Sequence, residues 1–152
     1  MSGAAVMVAV TVAAPPDRAF ALFTEEVDRW WRRGPVYRFR PGGGRMRFDP
    51  GPDGRLVEEY DDGSHFEVGR ILAWEPGRRL AFEWRNPNFA PGEVTEVEIR
   101  FTATEGGTRV VVRHTGWDRL RRGHPARHGL ADMALFRMMG DWWRKQLAAL
   151  AG

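Results

Sequence analysis

The stretch FEVGRILAWEPGRRLAFEWR, residues 66–85, decides the fold. Apolar and polar side chains alternate on both sides of the turn EPG, which is the pattern of two strands. A turn this short cannot hold a crossover helix, so the two strands must pair antiparallel. On the second strand, alternation places Leu80, Phe82 and Trp84 on one face, and we predict that this face is buried.

The same pattern extends over the middle of the chain as strands separated by short turns. The separators PGGG, PGPDG, DDGS, EPG, NPNFAPG and EGG are rich in glycine and proline and too short for helices, so they predict an antiparallel meander. The predicted strands are Val36–Arg40, Arg45–Asp49, Arg55–Tyr60, Phe66–Glu75, Arg79–Arg85, Val94–Ala103 and Thr108–Thr115. Alternation predicts inward positions on the last two strands at Val97, Ile99, Phe101, Val110 and Val112.

One strand and two short helices are predicted ahead of the meander. Alternation over Val6–Val12 indicates a strand with one buried face, and the prolines that follow suit the first turn of a helix. Phe20, Phe23 and Val27 then recur at spacings of three and four, which is typical of an amphipathic helix. This helical segment ends in the pair Trp30 and Trp31.

A single long helix is predicted at the C-terminal end, over residues 130–151. About 22 residues without an internal proline give a length of about 33 Å. Its apolar stripe includes Phe136, Met139 and Trp143. Trp142 points about 100° away from Trp143 around the axis, so we expect one tryptophan of this pair to face the core. The two Trp pairs are not a repeat, because their flanking segments differ.

Composition excludes several classes of function. The 152 residues include no cysteine, which excludes disulfides and thiolate catalysis. The 23 basic residues face 20 acidic ones, and the net charge of +3 is concentrated in the loop 117–128, so we expect no nucleic-acid partner. No apolar run approaches the roughly 18 residues that span a bilayer, and no basic region precedes the first apolar stretch. We therefore expect one cytoplasmic domain, residues 1–152, without a membrane span.

Metal and cofactor motifs are incomplete. His124 and His128 have the spacing of two zinc ligands on a helix, but Pro125 and Gly129 disfavour that helix and a third ligand is missing. The PGGGR loop that begins at Pro41 lacks the lysine, the hydroxyl residue and the helix of a phosphate-binding loop. We expect no metal and no cofactor.

His114 is the most informative polar residue. Parity with Val110 and Val112 places it inward, near the end of the last strand. A neutral imidazole there could donate a hydrogen bond to a ligand carbonyl or act as a general base. The competing interpretation is a histidine at the core edge whose partner is the backbone or Trp117.

Arg70 interrupts an apolar face on the strand predicted at residues 66–75. Alternation groups it with Val68 and Leu72, so we expect it to point inward, where an arginine must be paired. Either it meets Glu58 or Glu59 of the neighbouring strand, or it binds the anionic end of a ligand.

The predicted order of elements is that of the helix-grip fold, an α+β architecture in which a curved antiparallel sheet wraps around the last helix. The stretches VAAPPDRAFALFTEEVDRWW, GRLVEE, FEVGRILAWEPGRRLAFEWR, TEVEIRFTATEGGTRVVVRHTGW and GDWWRKQLAAL occur in order over nearly the whole chain. They resemble one branch of the START-like or SRPBCC superfamily, the domains related to the activator of heat-shock-protein-90 ATPase.

The resemblance implies three functions, which remain open at this point. Related domains bind apolar small molecules between sheet and helix, some act as polyketide cyclases or aromatases, and the eukaryotic activators dock on a chaperone. The family shares a fold and a cavity more than a reaction, so no catalytic residue carries over.

A carrier or sensor of a lipid, polyketide or aromatic ligand is our first hypothesis, supported by seven Trp, nine Phe and six Met. The same side chains could also simply pack together as a core. A cyclase-like enzyme would use His114, Glu58, Glu59 or Tyr60 for proton transfer, and a chaperone-linked module is the third hypothesis. The candidate cavity residues are Phe82, Trp84, Phe101, His114, Phe136, Met139, Trp143, Arg70 and Glu59.

Overall fold

The computed structural model describes residues 5–30, 44–50, 53–85, 89–90, 92–117, 120 and 132–151, with backbone alone at 132–133 and 149–151. The strands are β1 (Ala5–Val12), β2 (Arg45–Phe48), β3 (Arg55–Glu59), β4 (His65–Glu75), β5 (Arg79–Trp84), β6 (Thr95–Thr104) and β7 (Gly107–Thr115). The helices are α1 (Pro16–Glu25), α2 (Val27–Trp30) and α3 (Asp132–Ala151). The strand predicted at Val36–Arg40 and the position of Trp31 lie outside the described residues.

The seven described strands form one curled antiparallel sheet in the order β1-β7-β6-β5-β4-β3-β2. Strands β2 to β7 lie beside their chain neighbours, which confirms the predicted meander. β1 joins at the far edge, where Ala5 pairs with Thr115 and Val12 with Thr108. α3 packs against β1 and α2. This is the α+β helix-grip fold that the sequence predicts.

The inner face of β5, β6 and β7 carries the centre of the hydrophobic core. Every inward position predicted on these strands is buried, namely Leu80, Phe82, Trp84, Val97, Ile99, Phe101, Val110 and Val112. Trp30, at the end of α2, is also buried, and its indole N–H donates a hydrogen bond to the carbonyl oxygen of Phe23 at 2.9 Å. The alternation of apolar residues is therefore a correct guide to burial where the strands pair regularly.

β4 does not keep strict alternation. Its pairing with β5 shifts register between Ile71 and Ala73, and an extra residue at a bulge reverses the inward and outward positions beyond it. The pairing of β4 with β3 contains a similar shift, in which Val68 is the extra residue, and as a result Val68 and Ile71 are both buried at a spacing of three. Arg70 and Leu72 point outward, and Leu72 is 46% exposed. The prediction that Arg70 and Leu72 face inward is therefore wrong.

Gly69 lets this irregular part of β4 lie close to β5. A Cβ atom built on Gly69 would lie 1.7 Å from the carbonyl oxygen of Glu83, far inside van der Waals contact. Any side chain at this position would force the two strands apart, so the close approach requires glycine.

The outer face of the sheet carries a series of ion pairs between adjacent strands, which we call the outer ladder. Its cross-strand pairs are Arg47–Glu59, Arg55–Glu67, Arg70–Glu83 and Arg79–Glu98. Exposed pairs of this kind contribute about 0.2–1 kcal/mol each. The ladder therefore balances charge over the outer face more than it stabilises the fold.

None of the helices in the described part of the chain is long and apolar enough to cross a membrane.

Candidate functional site

His114 lies in a buried chain of hydrogen bonds that joins three strands to α3. The indole N–H of Trp143 donates to Nδ1 of His114 at 3.0 Å. Because Nδ1 accepts, the imidazole proton lies on Nε2, and this N–H donates to Oγ1 of Thr95 at 2.7 Å. The Thr95 hydroxyl then donates to the carbonyl oxygen of Trp84 at 2.9 Å. The geometry thus specifies one neutral tautomer of His114.

Burial keeps this imidazole neutral. Desolvation lowers the pKa of His114 from 6.5 to about 3, because a charge is unfavourable in an interior from which water is excluded. Both ring nitrogens are engaged and the side chain has no exposed surface. The structure therefore supports a satisfied core histidine over a general base or ligand donor. Its hydrogen-bond partners are Thr95 and Trp143, not the backbone or Trp117.

Four tryptophans fill the interior around His114, and we call them the tryptophan cluster: Trp84, Trp117, Trp142 and Trp143. The rings of Trp117 and Trp84 lie 5.1 Å and 5.3 Å from the imidazole, measured between centroids. Trp142 packs against Trp84 at 6.3 Å and against Trp143 at 5.0 Å. Trp142 and Trp143, the second Trp pair, are both buried. The expectation that only one of them faces the core is therefore wrong.

Most of the predicted cavity residues are packed inside the core. Phe82, Trp84, His114, Met139 and Trp143 are all 0% exposed. Phe82, Trp84, Met139 and Trp143 belong to one hydrophobic core cluster, and the ring of His114 packs against Trp84 and Trp143. A role for them in ligand binding stays a prediction.

Two further predicted residues lie closer to solvent. Phe136 is half-buried on α3. Phe101 packs against Phe20 of α1, with 5.2 Å between ring centroids.

Arg70 and Glu59 lie on the outer face, so the prediction that they line an internal cavity is wrong. Arg70 is paired with Glu83 of β5 at 3.0 Å, and not with Glu58 or Glu59. Glu59 lies outside because β3 alternates regularly, with Leu56 and Glu58 on its inner face. A hydrogen bond from Arg47 lowers the pKa of Glu59 and holds it on the outer ladder.

Sequence reasoning missed an apolar groove between α1 and the β2 and β4 strands, which we call the α1 groove. Its volume is about 420 Å³, within the range of roughly 300–1,000 Å³ that small-molecule sites occupy. The described lining residues are Asp17, Phe20, Ala21, Thr24 and Glu25 from α1, and Phe48, Pro50, Trp74 and Pro76 from the strands and their turns. The helical members recur at three- and four-residue spacings, so they form one face of α1.

Aromatic rings form the floor of the α1 groove. Phe20 packs edge-on against Trp74 at 5.3 Å, and Phe48 lies 6.1 Å from the same indole. Trp74 is half-buried, so part of its ring is available to a ligand. The hydroxyl of Thr24 already donates to the carbonyl oxygen of Phe20 at 2.9 Å. The floor therefore offers apolar contact and little hydrogen bonding. The half-burial of Trp74 is visible only in the structure, so no signal in the sequence points to this groove.

Some predicted features lie outside this description. His124 and His128 are not among the described residues, and neither is most of the loop 117–128. Within the residues that are described, no three His, Asp or Glu side chains are grouped closely enough to hold a metal ion.

Several solved structures share this fold. The protein MLL2253 from Mesorhizobium loti has a TM-score of 0.67 and 18% identity, and the match covers 97% of this chain and 94% of that one. An AHSA1-like protein from Aeromonas hydrophila has a TM-score of 0.64 and 15% identity, covering 97% and 90%. DynU16, a protein in the dynemicin biosynthetic locus, has a TM-score of 0.65 and 19% identity, covering 97% and 45%. At these identities the likeness establishes the fold alone.

The family is established by a separate comparison. A search of the curated proteins gives no match. The family model described as Activator of Hsp90 ATPase homolog 1-like protein matches residues 13–150. Since this match spans nearly the whole chain, the protein belongs to the Activator of Hsp90 ATPase homolog 1-like family, the START-like branch that its sequence motifs resemble.

Proposed function

We propose that the protein binds an apolar small molecule in the α1 groove, as a carrier or sensor. The observation that carries this proposal is the groove itself, an open space of about 420 Å³ with an aromatic floor. Folds of this family commonly bind hydrophobic ligands. The site differs from the cavity expected between the sheet and α3, because the tryptophan cluster fills the described part of that interior.

Binding accounts for the described residues better than proton-transfer chemistry does. Of the groups named for a cyclase-like reaction, His114 has both nitrogens engaged and Glu59 is paired with Arg47 on the outer face. The groove supplies apolar surface, which drives association in proportion to the area removed from water. One structural relative belongs to a biosynthetic locus, that of dynemicin, which agrees with a small-molecule ligand.

A neutral aromatic probe tests the proposal. We expect 2-naphthalenemethanol to bind the full chain in isothermal titration calorimetry and to shift the NMR signal of the Trp74 indole N–H. Ala21→Phe would fill the groove from the α1 side and should weaken binding about tenfold or more, equivalent to ~1.4 kcal/mol. Ala148→Phe, the same change at an exposed position of α3, is the matched control and should bind like the wild type.

Two results would overturn the proposal. One is the absence of binding to the wild-type chain. The other is equal binding by Ala21→Phe and Ala148→Phe, since the probe would then occupy another place. Urea unfolding of both variants shows whether a loss of binding reflects a loss of fold.

A further inference from the structure

We infer that the α1 groove selects a ligand that joins an aromatic or apolar body to a positive charge, such as an aromatic amine or a quaternary ammonium compound. This inference rests on the proposed function and names the chemical class of its ligand. It follows from the charges at the groove, from the absence of ion-pair partners for them among the described residues, and from the chemistry of the floor.

Among the described lining residues of the groove, both charged side chains are carboxylates. Asp17 lies in the first turn of α1 and Glu25 is its last residue. Their separation of eight positions corresponds to about 12 Å along the helix axis, so they stand near opposite ends of the helical wall. Both are exposed, and none of the described lining residues is basic. A cation bound over the floor would therefore lie between two negative charges.

These two carboxylates differ from the other acids around them. Glu26, the residue after Glu25, is paired with Arg18 at 3.6 Å and with Arg29 at 2.5 Å. The carboxylates of the outer ladder are likewise matched by arginines. Asp17 and Glu25 form no ion pair with any basic residue that the structure describes. In the described part of the chain, no internal cation therefore competes with a bound cation for Asp17 or Glu25.

The aromatic floor favours the same class of ligand. The faces of aromatic rings carry partial negative charge, and indole attracts a cation more strongly than other side-chain rings do. Trp74, Phe20 and Phe48 provide such rings in the lining that also contains the two carboxylates. The same arrangement repels an anionic ligand such as a carboxylate or a phosphate.

Three probes with one naphthalene skeleton test the inference on the full chain. They are (2-naphthylmethyl)trimethylammonium, 2-naphthalenemethanol and 2-naphthoate, compared by calorimetry. We expect the cation to bind at least about fivefold more tightly than the alcohol, and the anion to bind most weakly. Raising NaCl from about 0.05 M to about 0.5 M should reduce the preference for the cation, because salt screens exposed charges.

A charge-matched pair of double variants locates the effect. Asp17→Asn with Glu25→Gln should bring the ratio of cation to alcohol affinity to about one. Asp61→Asn with Glu105→Gln removes the same charge at exposed sites away from the groove and should keep the wild-type ratio.

The outcomes separate this inference from the proposed function. If the alcohol binds and the cation binds no more tightly, the inference is overturned while apolar binding stands. A preference that survives in Asp17→Asn with Glu25→Gln also overturns it. If none of the probes binds, both proposals fail.

Discussion

The indole N–H of Trp143 and Nδ1 of His114 lie 3.0 Å apart, and this hydrogen bond joins α3 to β7 in the middle of the interior. It requires an imidazole that is neutral and protonated on Nε2. A structural requirement for one protonation state makes the stability of the fold depend on pH.

We expect the protein to lose stability as the pH falls below 6.5. The pKa of His114 is about 3 in the folded chain and 6.5 when unperturbed, so between these values the unfolded chain binds a proton that the folded chain rejects. The contribution of neutral His114 to the free energy of unfolding is therefore complete above pH 6.5. It declines toward pH 3 by at most about 1.4 kcal/mol per pH unit. Urea unfolding at about pH 7 and about pH 5.5 measures this loss of stability. Both values lie above the range in which most carboxylates titrate.

His114→Gln is the control for this pH dependence. Its amide can accept from Trp143 and donate to Thr95, but it does not titrate. Between the two pH values, the free energy of unfolding should fall by more in the wild type than in His114→Gln. Parallel declines would show that His114 is not its source.

Thr95→Val should lower the free energy of unfolding by about 1–3 kcal/mol. The change keeps the shape of the side chain, but it leaves the Nε2–H of His114 and the carbonyl oxygen of Trp84 without the Thr95 hydroxyl. Thr102→Val, at an exposed position of the same strand, should change stability by less than about 0.5 kcal/mol. Equal losses of stability in the two variants, measured by urea unfolding, would mean that the buried chain of hydrogen bonds makes no specific contribution to stability.

Arg70→Met should leave ligand binding unchanged and cost no more than about 1 kcal/mol of stability. The guanidinium is on the outer face, 69% exposed, and its partner Glu83 remains accessible to water. Urea unfolding and titration with 2-naphthalenemethanol measure the two quantities. A loss of affinity at unchanged stability would instead place Arg70 at the ligand.

Gly69→Ala should destabilise the sheet by at least about 2 kcal/mol, because the new methyl group would collide with the carbonyl oxygen of Glu83. Gly106 is the matched position, since a Cβ there would have no atom within 4 Å. Gly106→Ala should lie within about 0.5 kcal/mol of the wild type in thermal unfolding. If Gly69→Ala is equally neutral, β4 and β5 can separate locally at no cost.

Local sequence was sufficient to predict which side chains face inward on strands that pair regularly. The inward positions of β5, β6 and β7 follow from alternation alone, as does the inward position of His114. Alternation failed on β4 because a bulge is decided by pairing between strands, which the pattern of one strand does not contain. Arg70 was misplaced for that reason, although Gly69 marked the irregular region. Glu59 follows the regular alternation of β3 and was assigned to the wrong face of that strand.

Long-range contacts set the other limit on prediction. The partners of His114 are 19 residues before it and 29 residues after it, on different elements. Which groups meet there depends on how α3 docks on the sheet. The α1 groove also depends on tertiary structure, since Pro50 and Pro76 reach it from two separate turns.

The pairing of β1 with β7 determines the order in which the molecule can assemble. The meander from β2 to β7 can form by closing neighbouring hairpins, but β1 finds its partner only after a loop of about a hundred residues has closed. During synthesis β1 leaves the ribosome before β2 to β7, yet its place on the sheet does not exist until β7 has emerged. The nascent chain therefore carries β1 unpaired while the whole meander is being translated, and the edge of the sheet that β1 covers is the last to be completed.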